Sequence, residues 1–187
     1  MLRIITGEAK GKKLESLEGN ATRPTSDRIK EAIFSSIQFM LEGRRVLDLF
    51  AGSGQMALEA LSRGADSAFF VDSSREAIEI VKRNISALGY EKRCRHLVSD
   101  YRNYIRKAAG KDQFDLVFID PPYSMECALD AARGLCEAKM VRDGGIIVLE
   151  CGTEPISEDM LSGFEIIKLT HYGKKTAVAI LLYRSDK

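Results

Sequence analysis

A chain of 187 residues with 45% hydrophobic and 29% charged residues has the composition of one globular domain with a small extension, which excludes wholesale disorder. Its longest unbroken apolar run, residues 177–183, falls far short of the ~20 residues that span a bilayer. Arg3 and Thr6-Gly7-Glu8 leave no room for an apolar leader, and the four cysteines (Cys94, Cys127, Cys136, Cys151) form no CxxC pair, so a cytoplasmic protein with reduced thiols, no metal and no membrane attachment is expected; a monomer is expected as well.

The net charge of +1 hides a strong segregation. Residues 1–30 hold seven Lys/Arg against four acids, residues 82–107 eight against two, and residues 115–160 only three against ten. Such a layout can give a nearly neutral molecule a basic face for a polyanion, although solvated helix surfaces produce the same pattern.

In chain order, residues 2–6 and 13–17 flank glycines and predict a small hairpin. A helix follows Pro24, capped by Thr25, Ser26 or Asp27, with an apolar stripe of Ile29, Ala32, Ile33, Ile37 and Met40 or Leu41. From residue 44 the period alternates. Strands are expected over 44–50, 68–71, 94–98, 114–119 and 145–149, and helices over 54–63, 74–88, 101–109 and 124–138. Strands rich in Val, Ile, Leu and Phe alternating with helices indicate an α/β, doubly wound, mostly parallel sheet. Two final strands, 164–169 and 176–183, are joined by a turn signal and read as an antiparallel hairpin. The basic amino-terminal residues precede the first strand of that sheet, so residues 1–20 read as an arm that the sheet does not need to fold.

The first chemical signal is Asp48-Leu49-Phe50-Ala51-Gly52-Ser53-Gly54-Gln55-Met56-Ala57, between a strand and a helix. Glycines there let the backbone approach a ligand, and the helix start faces an anionic group. Asp72 ends the next strand, where an acid can accept from both hydroxyls of a ribose, as in a dinucleotide-dependent oxidoreductase. Asp48 points elsewhere: a carboxylate so close to the loop would repel a pyrophosphate and suits the cationic amino group of a methionine moiety. The second signal is Asp120-Pro121-Pro122-Tyr123, directly after the most apolar strand. The Asp120 carboxylate and Pro121 carbonyl can accept both hydrogens of a planar NH₂ group, favouring a pyramidal nitrogen with its lone pair free. Two prolines stiffen the turn, and Tyr123 offers a face on which an extruded base can stack.

The Asp-x-Phe-Ala-Gly-Ser-Gly run resembles the cofactor loop of the class I S-adenosylmethionine-dependent methyltransferases. The resemblance implies a seven-stranded sheet with the last strand antiparallel. It implies cofactor contacts from Asp48, Phe50, Ala51, Gly52, Ser53 and Gly54, from Asp72 and Ser73 at the ribose, and from Asp100 and Tyr101 at the adenine. Asp-Pro-Pro-aromatic marks those enzymes that act on NH₂ groups. A third stretch, Thr22-Arg23-Pro24-Thr25-Ser26-Asp27-Arg28 after the Gly-rich basic hairpin Gly7-Glu8-Ala9-Lys10-Gly11-Lys12-Lys13, resembles the start of the RsmD family, the bacterial enzymes that methylate guanine N2 at position 966 of 16S rRNA. The likeness runs from Arg3 to the final strands.

That resemblance implies an RNA-binding extension over residues 1–43, with Arg3, Lys10, Lys12, Lys13, Arg23, Thr25 and Arg28 on 16S rRNA or the assembling small subunit. A methyltransferase domain would occupy residues 44–187. Lys92, Arg93, Arg95 and Arg102 form a second candidate RNA track. Adenine N6 in DNA and a protein glutamine are the other NH₂ targets such a site could serve. The chemistry expected is direct in-line transfer with no covalent enzyme intermediate.

Overall fold

A computed structural model describes residues 2–17, 27–121, 125–152, 163–172 and 176–185. By contact the chain divides into two units, Met1–Tyr101 and Arg102–Lys187. Its elements are α1 (Asp27–Ile37), β1 (Arg45–Asp48), α2 (Gln55–Ser62), β2 (Ser67–Asp72), α3 (Arg75–Leu88), β3 (Cys94–Val98), α4 (Tyr101–Ala108), β4 (Phe114–Ile119), α5 (Met125–Glu137), β5 (Val141–Cys151), β6 (Phe164–Tyr172) and β7 (Thr176–Tyr183). The seven strands belong to one mostly parallel sheet in which β7 runs antiparallel to both of its neighbours. The expected fold class is therefore the observed one.

In the first unit the strand order is β3-β2-β1, all parallel. Parallel neighbours need crossovers, and α2 and α3 supply them. Every residue of α2 is buried, so its polar Glu59 and Ser62 must find partners inside the protein. Helix α3 is amphipathic, opened by Ser74, whose Oγ accepts from Ala77 N–H, and closed by Gly89 in the left-handed conformation. In the second unit the order is β4-β5-β7-β6, with all six residues of β4 buried. β5 begins four residues before the expected start, because the chain from Val141 already pairs with Phe114 before a register shift leads to Ile146 opposite Leu116.

The expected amino-terminal hairpin is present in short form: one antiparallel bridge joins Arg3 to Lys13, with Ile4 N–H donating to the Lys12 carbonyl and Leu14 N–H to the Leu2 carbonyl. One expectation about this segment is corrected, because it is not an appended arm. Glu59 has zero exposure, and its carboxylate accepts from Ile5 N–H at 2.7 Å, Thr6 N–H at 2.9 Å and Arg63 Nε at 2.8 Å. Ser62 Oγ accepts from Ala9 N–H and donates to the Thr6 carbonyl, while the Ser62 carbonyl accepts from Glu8 N–H. The chain passes so close that a Cβ on Gly7 would lie 1.8 Å from the Ser62 carbonyl oxygen, which only glycine permits. Ile4 and Leu14 are buried beneath this loop.

Helix α1 also differs from the expected stripe. Its buried face is Lys30, Ile33, Phe34 and Ile37, continued by Leu41, whereas Met40 is exposed. An i, i+3, i+4, i+7 face starting from a lysine was hidden by that residue's charge. Lys30 is fully buried, its Nζ donating to the Arg3 carbonyl at 2.7 Å and lying 3.9 Å from carboxylate oxygens of both Glu59 and Asp27. Burial pushes its ammonium below the usual lysine range, and the Glu59 and Asp27 carboxylates oppose that shift. Replacing Glu59 with Ala leaves a buried ammonium and two backbone donors short of their acceptor. The expected loss is about 3–5 kcal/mol of unfolding free energy, measured by urea titration, whereas Glu79→Ala in the exposed Glu79–Lys82 pair is expected to leave the transition nearly where it was.

Candidate active site

The residues expected to hold a cofactor converge in the first unit, at the carboxyl ends of its parallel strands, where open α/β sheets place their ligands. Leu49 and Phe50 leave the strand early, so β1 ends at Asp48 and a tight loop runs to α2 at Gln55. Gly52 and Gly54 both take positive φ, +53° and +77°. At Gly54 a Cβ would approach the Phe70 ring to 3.0 Å, whereas at Gly52 it would meet nothing within 4 Å. The loop is thus packed from below and open above Gly52.

Asp72, half-buried at the end of β2, braces the loop: Oδ2 accepts from Gly52 N–H at 2.9 Å and Oδ1 from Ser74 N–H at 2.8 Å. A carboxylate offers about four lone-pair sites, so two acceptors remain for a ligand. Backbone bonds from Ala51 N–H to the Val71 carbonyl and from Ser99 N–H to the Asp72 carbonyl draw the three strand ends together. Ser73 and Asp100 lie exposed at this rim. The rings of Phe50 and Tyr101 meet at 5.3 Å, tilted by 50°. Asp48 is buried, and its Oδ2 accepts from Ala57 N–H in the first turn of α2 at 3.3 Å. It thereby complements the positive end of that helix.

Sequence reasoning missed two residues here. Asn84 of α3, 1% exposed, donates from Nδ2 to the Ser53 carbonyl at 2.9 Å. Gln55, the first residue of α2, has a buried Oε1 without a hydrogen-bond partner among the described residues. A polar residue on an otherwise apolar helical face was the only signal available for Asn84, and it does not distinguish a loop anchor from a solvated side chain.

In the second unit Asp120 is exposed immediately after β4, and Pro121 is buried. Pro122 and Tyr123 lie outside the described residues, as do Arg23 and Thr25. Of the amino-terminal cations, Lys10, Lys12, Lys13 and Arg28 are exposed, and Arg3 pairs with Asp27 at 3.5 Å. The second basic segment is largely committed to structure. Arg93 donates to the carbonyls of Leu61, Ala65 and Asp66 and to Glu8, Arg95 lies over the Phe69 ring, and Arg102 pairs with Asp130. Burial pushes the Cys94 and Cys136 thiols up to about 12, so neither is a ready nucleophile. Among the described residues no group of three or more His, Cys, Asp and Glu could hold a metal ion, and no helix is long and apolar enough to cross a membrane.

The sequence profile described as "Conserved hypothetical protein 95" matches residues 2–181. YlbH of Bacillus subtilis is 36% identical over 180 residues, spanning 96% of this chain and 97% of its own. Ribosomal RNA small subunit methyltransferase D of Haemophilus influenzae is 31% identical over 150 residues, 80% of this chain and 78% of its own. The solved structure of yhhF from Escherichia coli superposes with a TM-score of 0.87 at 26% identity, covering 98% of each chain.

The loop's packing yields a comparison between its two glycines. Gly52→Ala meets only the left-handed backbone cost, about 1–2 kcal/mol. Gly54→Ala adds the Phe70 clash and is expected to lower the midpoint of thermal unfolding distinctly further. Equal losses in calorimetry would mean that the Phe70 ring gives way freely.

Proposed function

This chain belongs to the RsmD-type methyltransferase family, and from that premise we propose that it transfers the methyl group of S-adenosylmethionine to the exocyclic N2 amine of a guanine in 16S rRNA. The observation that carries the reading is the loop from Phe50 to Gly54, held by Asp72 with acceptor capacity left over. Membership of a methyltransferase family sets aside the dinucleotide-dependent oxidoreductase. It also favours RNA over DNA adenine or protein glutamine, because relatives of similar length bear ribosomal RNA methyltransferase names.

The residues present fit an adenosyl-sulfonium cofactor. Space stands open over Gly52, Asp72 retains lone pairs for two ribose hydroxyls, and Gln55 Oε1 is a buried acceptor still to be satisfied. Asp48 adds negative charge for a methionine ammonium, and Phe50, Ser73, Asp100 and Tyr101 form the rim for the adenine end. When bound, the cofactor supplies an electrophilic methyl group together with its own leaving group. The protein's part is orientation, exclusion of water and hydrogen-bond acceptance.

An exocyclic guanine amine is a poor nucleophile because its lone pair is delocalised into the ring. Asp120 and the Pro121 carbonyl accept its two hydrogens, which turns the lone pair out of that system. Pro122 stiffens the turn, and Tyr123 stacks on the extruded base. The exposed Lys10, Lys12 and Lys13, with Arg3, Arg23, Thr25 and Arg28, hold the phosphate backbone of 16S rRNA, free or in the assembling small subunit, while the base enters.

The deciding experiment incubates the protein with labelled S-adenosylmethionine and 16S rRNA from a strain lacking the modification, then maps the methylated nucleotide. N2-methylguanine is expected, and label on adenine or on protein would overturn the target. In the same assay Asp120→Ala is expected to retain cofactor affinity by calorimetry and to lose turnover by ~10²-fold or more. Full activity of that variant would reduce the motif to a turn. Neutralising Lys10, Lys12 and Lys13 together is expected to flatten the log-log salt dependence of RNA affinity by a slope of ~2.

A further inference from the structure

The Asn84 amide makes three hydrogen bonds, to two parts of the chain that serve different ligands in the function proposed above. Oδ1 accepts from Glu15 N–H at 2.7 Å, and Nδ2 donates to the Glu15 carbonyl at 3.0 Å and to the Ser53 carbonyl at 2.9 Å. Glu15 lies two residues beyond Lys13, at the return end of the basic amino-terminal loop. Ser53 stands between the two left-handed glycines of the cofactor loop. The side chain is 1% exposed, so water cannot replace a lost partner without opening the packing around α3.

The orientation of that amide admits no alternative. Turned over, it would set its oxygen against two carbonyl oxygens and its NH₂ against a backbone N–H. Within the loop, Gly54 N–H is spent on the Ala51 carbonyl and Gly52 N–H on Asp72, so Asn84 supplies the outside restraint on the peptide between them. The far side of the basic loop is pinned separately, by Glu59 and Ser62. Any shift of the Glu15 backbone therefore acts on Ser53 through one buried amide.

We propose that Asn84 is a positioning residue that couples the two binding events: RNA on the basic loop and cofactor on the Gly52–Gly54 loop each favour the Asn84 geometry that the other needs. The inference rests on the function proposed above, in which those two loops hold those two ligands. By linkage the coupling is reciprocal, and a single affinity ratio measures it.

The test measures the affinity of a 16S rRNA transcript for the protein with and without saturating S-adenosylhomocysteine. Wild type is expected to bind RNA ~5-fold or more tightly with the nucleoside present, and Asn84→Ala to bring that ratio to about 1. Arg83→Ala removes only the exposed pair with Glu15 and is expected to keep the wild-type ratio. A purely structural Asn84 would lower thermal stability and leave the ratio unchanged, which would overturn the proposal, as would a wild-type ratio of 1. Should Asn84→Ala fail to fold, hydrogen exchange in wild type gives the answer. The Glu15 amide, bonded to Asn84, is expected to gain protection when S-adenosylhomocysteine binds, and no gain would refute the coupling. Failure of wild type to bind either the nucleoside or the transcript would instead overturn the proposed function itself.

Discussion

A carboxylate with no exposed surface must be given donors, and the first unit is arranged around that requirement at Glu59. Helix α2 is buried on every side, so its one acid cannot reach water. Two backbone N–H groups of the amino-terminal loop, Arg63 one turn on, and the buried Lys30 of α1 answer it. Buried pairs of this kind add little net stability compared with apolar packing, but removing one partner is costly. The loop and α1 are thereby held to the same helix that begins just after Gly52 and Gly54.

Two further side chains extend the arrangement. Asp72 fixes Gly52 from the end of β2, and Asn84 fixes Ser53 from α3. The loop between β1 and α2 has little choice left, with Gly54 packed on Phe70 beneath it. Such preorganisation suits a transfer in which the reacting group arrives with its own leaving group and the protein contributes placement. The exposed lysines of the amino-terminal loop then sit on a backbone that is itself rigidly tied, which gives their charge a defined register. A flexible arm would offer the same charge without the register.

The strand and helix succession was legible from residue 44 onward because parallel strands are buried on both faces and read as apolar runs, while their crossovers carry helical periodicity. Gly52, Gly54 and Asp72 were legible as a loop because glycine spacing between a strand and a helix records a backbone requirement. The longer β5 was not, since Arg142, Asp143 and Gly144 carry no apolar signal and are carried in the strand between the Val141–Phe114 and Ile146–Leu116 pairs. Lys30 was absent from the expected α1 stripe for the same kind of reason: its charge argues for solvent, and Glu59 and Asp27 nearby make burial tolerable.

Local patterning, then, determined the fold class and the glycine loop between β1 and α2, because each is encoded by residues adjacent in the chain. The attachment of the amino-terminal loop was decided by tertiary structure alone. Ile5 and Thr6 reach Glu59 across 54 and 53 residues, and Glu15 reaches Asn84 across 69. Those bonds use backbone groups of the loop, which every non-proline residue possesses, so no choice of amino acid in residues 5, 6 or 15 announces them. A backbone donor acquires a particular acceptor only when folding brings a buried side chain up against it.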